Sequence, residues 1–323
     1  MVSQRLDPLD LKLLQALELD GRASFSRIAQ VLGVSDQTVA RRFRRLRATV
    51  RLRVTGVADD SRLDRDSWIV RLGCPPNVAG QLAASLARRP DTKFIDLVSG
   101  GTEVRCGMRP RSRQERDELL LERLHRIPRI TSVSAHCILH SFCGGPLGWL
   151  HKTHALDPHE EAALRPPAIV PATEPITLDA VDEAMLAALR IDGRATLTEL
   201  QTATGQSETV VRRRLDRLRT TGVLYLAVEY DRESMGDEVG AMCWLTVAPH
   251  ALDEIGRAVA DHREVRFAAA TTGRSNLVLS VLCRSTSDLY AYLTEKIGTL
   301  TGIQTVETTL TLRRVKVFTY ELR

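Results

Sequence analysis

The chain has few aromatic residues and no long apolar run. Phe, Trp and Tyr make up 4% of its 323 residues, while apolar residues make up 43% and charged residues 26%. These proportions are ordinary for a globular protein with several cores. Without a run of 18 apolar residues, no transmembrane helix is expected. Met1 to Asp7 lack the apolar core of a signal peptide, so we expect a cytoplasmic protein with no membrane partner.

Motifs for catalysis and cofactor binding are also missing. The sequence has no Gly-x-Ser-x-Gly, no phosphate-binding loop and no dinucleotide fingerprint. Its six cysteines are scattered without a Cys-x-x-Cys pair, which indicates reduced and mostly buried thiols. We therefore predict no catalytic residues, no cofactor and no enzymatic activity.

One cluster of histidines and cysteines has the look of a metal site. His136, Cys137, His140 and Cys143 follow one another in a segment predicted to be a strand. At a rise of about 3.3 Å per residue, His136 and His140 share a face but lie roughly 13 Å apart. Zinc needs its ligands about 2 Å from one point. A strand cannot close such a site unaided, and we predict no metal.

The most informative positive feature is an internal repeat. Residues 6–49 align without a gap onto residues 178–221, and 19 of the 44 aligned positions are identical. The shared motifs are Asp-Gly-Arg-Ala, Gly-x-Ser and Val-x-Arg-Arg-x-x-Arg-Leu-Arg. An offset of 172 residues is far longer than a solenoid repeat, which spans roughly 20–50 residues. The chain therefore contains a duplicated set of domains.

Each copy of the repeat has the pattern of three helices. In the first copy, an apolar stripe from Asp10 to Leu19 ends at an Asp-Gly pair, where glycine permits a left-handed cap. A short helix and the tight turn Gly33-Val34-Ser35 then precede a third helix that begins near Asp36. The second copy repeats each element. This arrangement describes a helix-turn-helix motif.

The remainder of each half predicts a sheet domain. At an offset of 173 residues, both halves show the order strand, helix, strand, glycine turn, strand, helix, strand. This βαββαβ order is ferredoxin-like. The predicted fold class is α+β, with two winged helix-turn-helix domains that are each followed by a ferredoxin-like sheet domain. The predicted domains are residues 1–57, 58–142, 177–230 and 231–323, with a proline-rich linker at residues 143–176.

Basic charge is concentrated in the third helix of the first copy and just after it. The formal charge is only +5, but residues 41–53 contain seven arginines and no acidic residue. A solvated helix face would account for such a run, and so would a phosphate-binding surface. Because the third helix of a helix-turn-helix enters the major groove, we predict double-stranded DNA as a partner. The predicted DNA-binding residues are Ser35, Gln37, Thr38, Arg41, Arg42, Arg44, Arg45, Ser207, Thr209, Arg212, Arg213 and Arg217.

The two copies differ at the positions predicted to contact bases. Gln37 aligns with Thr209, and Arg44 aligns with Asp216. Since glutamine pairs with adenine and arginine with guanine, we expect an asymmetric DNA site rather than a true palindrome. Arg42 and Arg214 lie nearer the inner faces of their helices, where bracing of the fold and phosphate contact are equally good interpretations.

Together these residues resemble the leucine-responsive regulatory protein (Lrp/AsnC) family of transcriptional regulators, in a tandemly duplicated form. The resemblance rests on Leu-Asp-x-x-Asp at the start of both copies, on the Asp-Gly-Arg and Gly-x-Ser motifs, on Thr272-Gly273 and on Gly-Ile-x-x-Val-Glu-Thr from Gly302. It covers nearly the whole chain. It implies a DNA-binding regulator that responds to a small molecule, such as an amino acid or a related metabolite.

The resemblance also implies where the effector binds. In this family the site lies near the glycine turn between the second and third strands, at a subunit interface. Members that sense amino acids often carry Asp where this chain has Glu103 and Asn276, and the neutral Asn276 removes a charge that could pair with an amino group. The implied effector-binding residues are Ser99, Gly100, Gly101, Thr102, Glu103, Thr272, Gly273, Arg274, Ser275 and Asn276.

Family members pair through their sheet domains, which implies a homodimer or a higher oligomer. A chain with two such domains could instead close on itself, and the sequence leaves both arrangements open. In either case we expect the sheet domains to set the spacing of the helix-turn-helix domains. A ligand would then change DNA affinity through differential binding to two arrangements.

Two other functions remain as alternatives. Siroheme decarboxylases resemble fused Lrp-type units with basic and histidine residues around a tetrapyrrole, so a tetrapyrrole enzyme is one alternative. An adaptor that binds proteins through its sheet domains is the other. The arginine-rich third helices and the regulator-type glycine turns favour the DNA-binding regulator, for which binding should weaken steeply with salt.

Overall fold

The structure, a computed structural model, describes residues 6–127, 129–148, 150–166, 168–170, 176–230, 239–317 and 320–321. Parts of the predicted linker (149, 167 and 171–175) and the start of the last predicted domain (231–238) lie outside the described residues. No helix within the described ranges is long and apolar enough to cross a membrane.

The elements follow the predicted order in both halves. In chain order they are α1 (Pro8–Leu19), α2 (Phe25–Leu32), α3 (Asp36–Thr49), β1 (Arg53–Ala58), β2 (Trp68–Gly73), α4 (Pro76–Ala87), β3 (Thr92–Val98), β4 (Glu103–Met108), α5 (Arg113–Asp117), β5 (Ser132–Cys143), α6 (Pro158–Leu164), α7 (Ala180–Ile191), α8 (Leu197–Thr204), α9 (Glu208–Thr220), β6 (Leu224–Glu229), β7 (Val239–Val247), α10 (Leu252–Asp261), β8 (Val265–Thr271), β9 (Leu277–Cys283), α11 (Thr286–Ala291), β10 (Ile303–Val317) and β11 (Tyr320–Glu321). The helices α5 and α11 continue as π-helical turns over Glu118–Arg123 and Tyr292–Ile297.

The chain divides into two compact units, and each unit combines segments from both halves. The head unit consists of Met1–Asp64 and Leu150–Gly236, and the sheet unit consists of Arg65–Trp149 and Asp237–Arg323. We call α1–α3 the first head and α7–α9 the second head. The duplicated sequence therefore folds as a pair of heads and a pair of sheet domains.

Local capping explains where the helices of the heads begin and end. Asp7 and Asp10 form a capping box at the start of α1, with the Asp10 amide donating to Asp7 Oδ1 at 2.9 Å. Asp179 and Asp182 do the same at the start of α7. The glycines that follow α2 and α8 are left-handed, as the sequence predicts for these turns. The predicted inward positions are buried in both heads: Val39, Phe43, Leu46, Val211, Leu215 and Leu218.

The strand that follows each head pairs with its counterpart from the other half. β1 and β6 run antiparallel from Arg53 opposite Glu229 to Ala58 opposite Leu224. The amide of Gly193 also donates to the Val54 carbonyl at 2.8 Å. The predicted boundary between residues 57 and 58 thus lies inside β1, and the two wing strands form one small sheet shared by the heads.

The sheet unit contains two ferredoxin-like domains, which confirms the predicted fold class. Their strand orders are β3-β4-β2-β5 in the first half and β8-β9-β7-β10 in the second. β5 pairs with β2 and then β8, while the long β10 pairs with β7 and then β3. The eight strands thereby form a closed ring. The pairings β5–β8 and β10–β3 join the two sheet domains within one chain.

Candidate DNA-binding and effector sites

The third helix of each head presents its predicted N-terminal residues to solvent. Gln37, Arg41 and Arg44 are exposed on α3, as are Thr209 and Arg213 on α9. Ser35 caps α3, since its Oγ accepts from the Thr38 amide at 3.1 Å and lies 2.9 Å from Thr38 Oγ1. Ser35 and Thr38 therefore set the start of the helix, whereas the equivalent Ser207 makes no such side-chain bond.

The inner arginines of the third helices bind the acidic residues that cap the first helices. Arg42 binds Asp7 and donates to Asp10 Oδ1 at 2.9 Å, and Arg45 binds the same Asp10, whose side chain is only 1% exposed. Although burial favours the neutral form of Asp7, hydrogen bonds from Arg42 and from the Asp10 backbone lower its pKa. The geometry favours the bracing interpretation of Arg42.

The second head repeats this bracing. Arg214 donates to Asp179 at 2.7 Å and to Asp182 at 2.9 Å, and Arg217 binds Asp182. The side chains of Arg45 and Arg217 are 46% and 43% exposed, so they keep a solvent-facing side. Their DNA contacts stay predictions, whereas the Leu-Asp-x-x-Asp and Arg-x-x-Arg motifs are clearly partners within each head.

A reciprocal pair of arginines joins the two heads. Arg22 donates to the carbonyls of Gly193 at 2.7 Å and Ala195 at 2.8 Å. Arg194, at the aligned position, donates to Gly21 at 2.5 Å and Ala23 at 3.0 Å. Burial lowers the pKa of both arginines, so these guanidiniums are held in a partly desolvated interface. We call these four hydrogen bonds the arginine clamp.

The clamp is tightened by contacts that differ between the heads. The Arg194 guanidinium lies 4.7 Å from the ring centroid of Phe25 and 5.6 Å from that of Phe43. Arg219 donates to Asp20 of the first head at 2.9 Å. In the sequence, the Asp-Gly-Arg motif indicates only the end of the first helix. Its identical recurrence in both copies was the available signal for a reciprocal contact.

The glycine turn of the first half leaves open space at Gly100, and its acidic residue, Glu103, is hydrogen-bonded within the protein. Ser99, Gly100 and Gly101 all have positive φ (53°, 68° and 85°). A Cβ at Gly100 would meet nothing within 4 Å. Glu103, in contrast, accepts two hydrogen bonds from Arg71, at 2.8 and 2.9 Å. Its carboxylate is thus paired inside the protein.

Arg71 is the centre of this charged group. It also donates to Glu307 of β10 at 2.6 and 3.1 Å, and its guanidinium lies 5.0 Å from the ring centroid of Trp244. Burial opposes the charge on Arg71, but the hydrogen bonds with Glu307 and Glu103 outweigh it and raise its pKa. The hydrogen bond that Arg71 donates to Glu307 is also the main reason why the pKa of Glu307 is lowered.

The glycine turn of the second half is filled by an imidazole from the first half. His136 Nδ1 donates to the Thr272 carbonyl at 2.8 Å, and its Nε2 lies 2.8 Å from Ser134 Oγ. A Cβ at Gly273 would lie 2.5 Å from His136 Nδ1. Asn276 accepts from the Val247 amide and donates to the Val247 carbonyl, both at 2.8 Å. The side chain of Asn276 therefore closes the turn onto β7.

A buried ion group lies beside the first turn on the same face of the sheet. Asp96, which is fully buried, binds Arg105 and accepts from Arg314 Nε at 2.9 Å. Burial, together with repulsion by Arg314 and Arg71, lowers the pKa of Arg105 to about 9. The guanidinium of Arg105 still carries its charge at neutral pH. Sequence reasoning did not single out these residues, because a lone charge in an alternating strand predicts an exposed face.

The histidine and cysteine cluster of the sequence is dispersed along β5. His136 is engaged at the second turn, whereas Cys143 is buried near the Gly148 carbonyl. No group of three or more His, Cys, Asp or Glu side chains that could hold a metal ion lies within the described ranges.

The fold and these sites define the class of the protein. The chain has two helix-turn-helix heads whose third helices carry exposed arginines, and it also has two ferredoxin-like domains. Such third helices are typical of proteins that bind DNA in the major groove. The profile of the AsnC-type helix-turn-helix domain matches residues 6–47 and 178–219, and that of the Lrp/AsnC ligand binding domain matches residues 240–320.

Proteins with similar sequences are transcriptional regulators. An HTH-type transcriptional regulator of Mycobacterium tuberculosis is 33% identical over 140 residues, which cover 42% of this chain and 92% of that protein. The regulatory protein AsnC of Escherichia coli is 28% identical over 140 residues, covering 42% of this chain and 91% of that protein. The chain belongs to the Lrp/AsnC family of transcriptional regulators. Each of these relatives corresponds to less than half of it, in agreement with the duplication.

A solved structure corrects one prediction. The siroheme decarboxylase NirDL has a TM-score of 0.62 at 16% identity, covering 96% of this chain and 93% of that chain. The prediction that this chain is not an enzyme is contradicted, because an enzyme has a similar fold over nearly the whole length of the chain. Missing catalytic motifs were a poor guide, since such motifs describe other folds. At this level of identity the likeness concerns the fold.

Proposed function

We propose that the chain is a sequence-specific regulator that binds double-stranded DNA with both heads and responds to a small molecule bound in the sheet unit. The observation that carries the DNA-binding part is the pair of exposed arginines at one aligned position, Arg41 on α3 and Arg213 on α9. Neither side chain has an acidic partner within the described residues. Both therefore present charge where a helix-turn-helix meets DNA. A DNA partner favours a cytoplasmic location.

The test compares DNA binding by variants of these arginines. Genome-wide mapping of bound DNA would supply the native site, and fluorescence anisotropy would measure affinity for that duplex. Arg41→Ala and Arg213→Ala should each weaken binding by about 1–3 kcal/mol if they contact a base. Arg257→Ala, which alters an exposed arginine of α10 in the sheet unit, is the matched control. Unchanged affinity in both head variants would refute the proposal.

We infer that the first glycine turn is the effector site. It is open at Gly100, whereas the second turn contains His136. At an offset of 173 residues, Thr309 of β10 is the counterpart of His136. The strand registers agree with this alignment. Ile138 of β5 lies opposite Thr271 of β8, and the residues at the aligned positions, Thr311 of β10 and Val98 of β3, also lie opposite each other. A smaller side chain therefore faces the first turn.

This assignment predicts opposite effects of two exchanges. Thr309→His should fill the first turn and abolish the thermal shift produced by an effector, whereas His136→Thr should leave that shift in place. The twenty amino acids would be the first set of probes, each at saturating concentration, followed by the corresponding keto acids. An effector whose shift survives Thr309→His but disappears in His136→Thr would place the site at the second turn instead.

A tetrapyrrole enzyme is the second candidate function, favoured by the fold that the chain has in common with NirDL. Arginines commonly bind carboxylates such as those of a tetrapyrrole, yet Arg71 is paired with Glu103 and Glu307, and Arg314 with Asp96. Trp244 also packs between Arg71 and His136, at 5.0 and 4.8 Å from the two groups. These residues do not fit a tetrapyrrole. Titration with iron-uroporphyrin III, followed through the Soret band, tests this candidate directly.

A further inference from the structure

We propose that the two heads bind DNA unequally, with the first head supplying most of the electrostatic affinity and the second head only a small part of it. The inference rests on the proposed DNA-binding function and adds to it an order of importance between the heads. The observation behind it is that the third helices of the two heads differ in how many exposed arginines form ion pairs with acidic residues.

The first head presents several arginines without acidic partners. Arg41, Arg44, Arg47 and Arg51 are all exposed, and none of them forms an ion pair with a described residue. Arg44 makes only a 3.4 Å hydrogen bond to the carbonyl of Ala40. Arg47 lies against the Phe43 ring, 6.0 Å from its centroid, which leaves the guanidinium donors available. The first head therefore has four exposed arginines on α3 and just after it whose charge is not neutralised by a described acidic residue.

The second head exposes fewer arginines that lack an acidic partner among the described residues. Arg212 of α9 pairs with Glu208 one turn earlier at 2.7 Å. Arg219, which aligns with Arg47, is held by Asp20 of the first head at 2.9 Å. The position of Arg44 is occupied by the exposed Asp216. Arg213 is therefore the one exposed arginine of α9 without an acidic partner among the described residues.

The bracing arginines do not change this comparison. In the first head, Arg42 and Arg45 bind two acidic residues, Asp7 and Asp10. In the second head, Arg214 and Arg217 likewise bind two, Asp179 and Asp182. The acidic helix α6 lies beside the first head, but Glu160 pairs with Lys12 at 2.5 Å and Glu161 accepts from Gln15 at 2.5 Å. The difference between the heads thus comes from the exposed surface of the third helices.

The imbalance has a measurable size. Each phosphate contact contributes about 0.9 to the slope of log K against log salt, and about fivefold to affinity near physiological salt. Loss of three such contacts corresponds to roughly 100-fold, and loss of one to roughly fivefold, by the same relation. The first head can make the larger set of contacts and the second head the smaller.

The test measures binding of the full chain to a random-sequence duplex long enough for both heads, as a function of salt. The combined variant Arg41→Ala, Arg44→Ala and Arg47→Ala should lose about 100-fold in affinity and about 2.7 in slope. The combined variant Arg212→Ala and Arg213→Ala should lose about fivefold and about 0.9. Helix content by circular dichroism would verify that both variants fold.

A gain-of-function variant keeps the proposal testable if the multiple substitutions disturb folding. Asp216→Arg places in the second head the charge that Arg44 provides in the first, and should increase affinity about fivefold or more. Equal losses in the two combined variants, or no gain from Asp216→Arg, would overturn the inequality. If the unaltered chain shows no salt-dependent binding to any duplex, the proposed DNA-binding function itself fails.

Discussion

Removal of one half of the arginine clamp is the sharpest test of how the heads are held together. Arg22→Ala deletes the two hydrogen bonds to the carbonyls of Gly193 and Ala195. A hydrogen bond to a charged group contributes roughly 1.5–3 kcal/mol. Because the guanidinium of Arg22 is only partly buried, we take the lower end for each bond. The expected loss is about 3 kcal/mol in the free energy of unfolding of the head unit.

The two units can be followed separately during unfolding. Trp68 on β2 and Trp244 on β7 belong to the sheet unit, and replacing the third tryptophan of the sequence with Phe leaves these two as the only fluorescent tryptophans. Tryptophan fluorescence in urea therefore follows the sheet unit, while circular dichroism follows the helices of both. Arg22→Ala should shift the helical transition to lower urea and leave the fluorescence transition unchanged. Loss of about 3 kcal/mol is a large fraction of the stability of an ordinary domain.

The control is Arg190→Ala, which removes an exposed arginine of α7 and should change stability by less than about 0.5 kcal/mol. Burial, then repulsion by Arg219 and by Arg194, lowers the pKa of Arg22, so the two clamp arginines interact with each other. Removal of both should therefore differ from the sum of the single losses. The reasoning is refuted if Arg22→Ala unfolds at the same urea concentration as the unaltered protein.

Two further predictions concern protonation and the second glycine turn. The pKa of Asp179 is lowered mainly by the backbone hydrogen bond from Asp182 and next by the hydrogen bonds from Arg214. The ionised carboxylate therefore stabilises the head unit above about pH 4, and this stabilisation is lost as the pH falls. Asp179→Asn should make head-unit stability less dependent on pH below about pH 4; an unchanged dependence in acid urea titrations would contradict this. Gly273→Ala would place a Cβ 2.5 Å from His136 at a φ of 111°, and should destabilise the sheet unit by about 1–3 kcal/mol in fluorescence-detected unfolding. The control Gly33→Ala, with a φ of 64° and open space, should cost the head unit only about 1 kcal/mol, and equal losses would count against the His136 contact.

The heads and the order of the sheet domains could be predicted from the sequence, because local interactions specify them. Asp7 and Ser35 cap helices within their own segments, and the glycine after α2 ends that helix regardless of the rest of the chain. The alternation of apolar residues determined which strands face the helices. The duplication supports each pattern, because two divergent copies predict the same elements.

Which strands and arginines meet was decided only by the tertiary structure. Strand pairing between halves, as for β5 with β8, joins segments whose local sequence carries no record of their partner. The internal partners of Arg42, Glu103 and Asn276 could not be predicted for the same reason, because each side chain binds a group about 30 residues away in the chain. A sequence can show that a residue is charged, whereas burial and distance determine whether that charge is free to bind a ligand. The unequal heads are the clearest case: Arg47 and Arg219 are identical in the sequence alignment, and only the fold brings Asp20 to one of them.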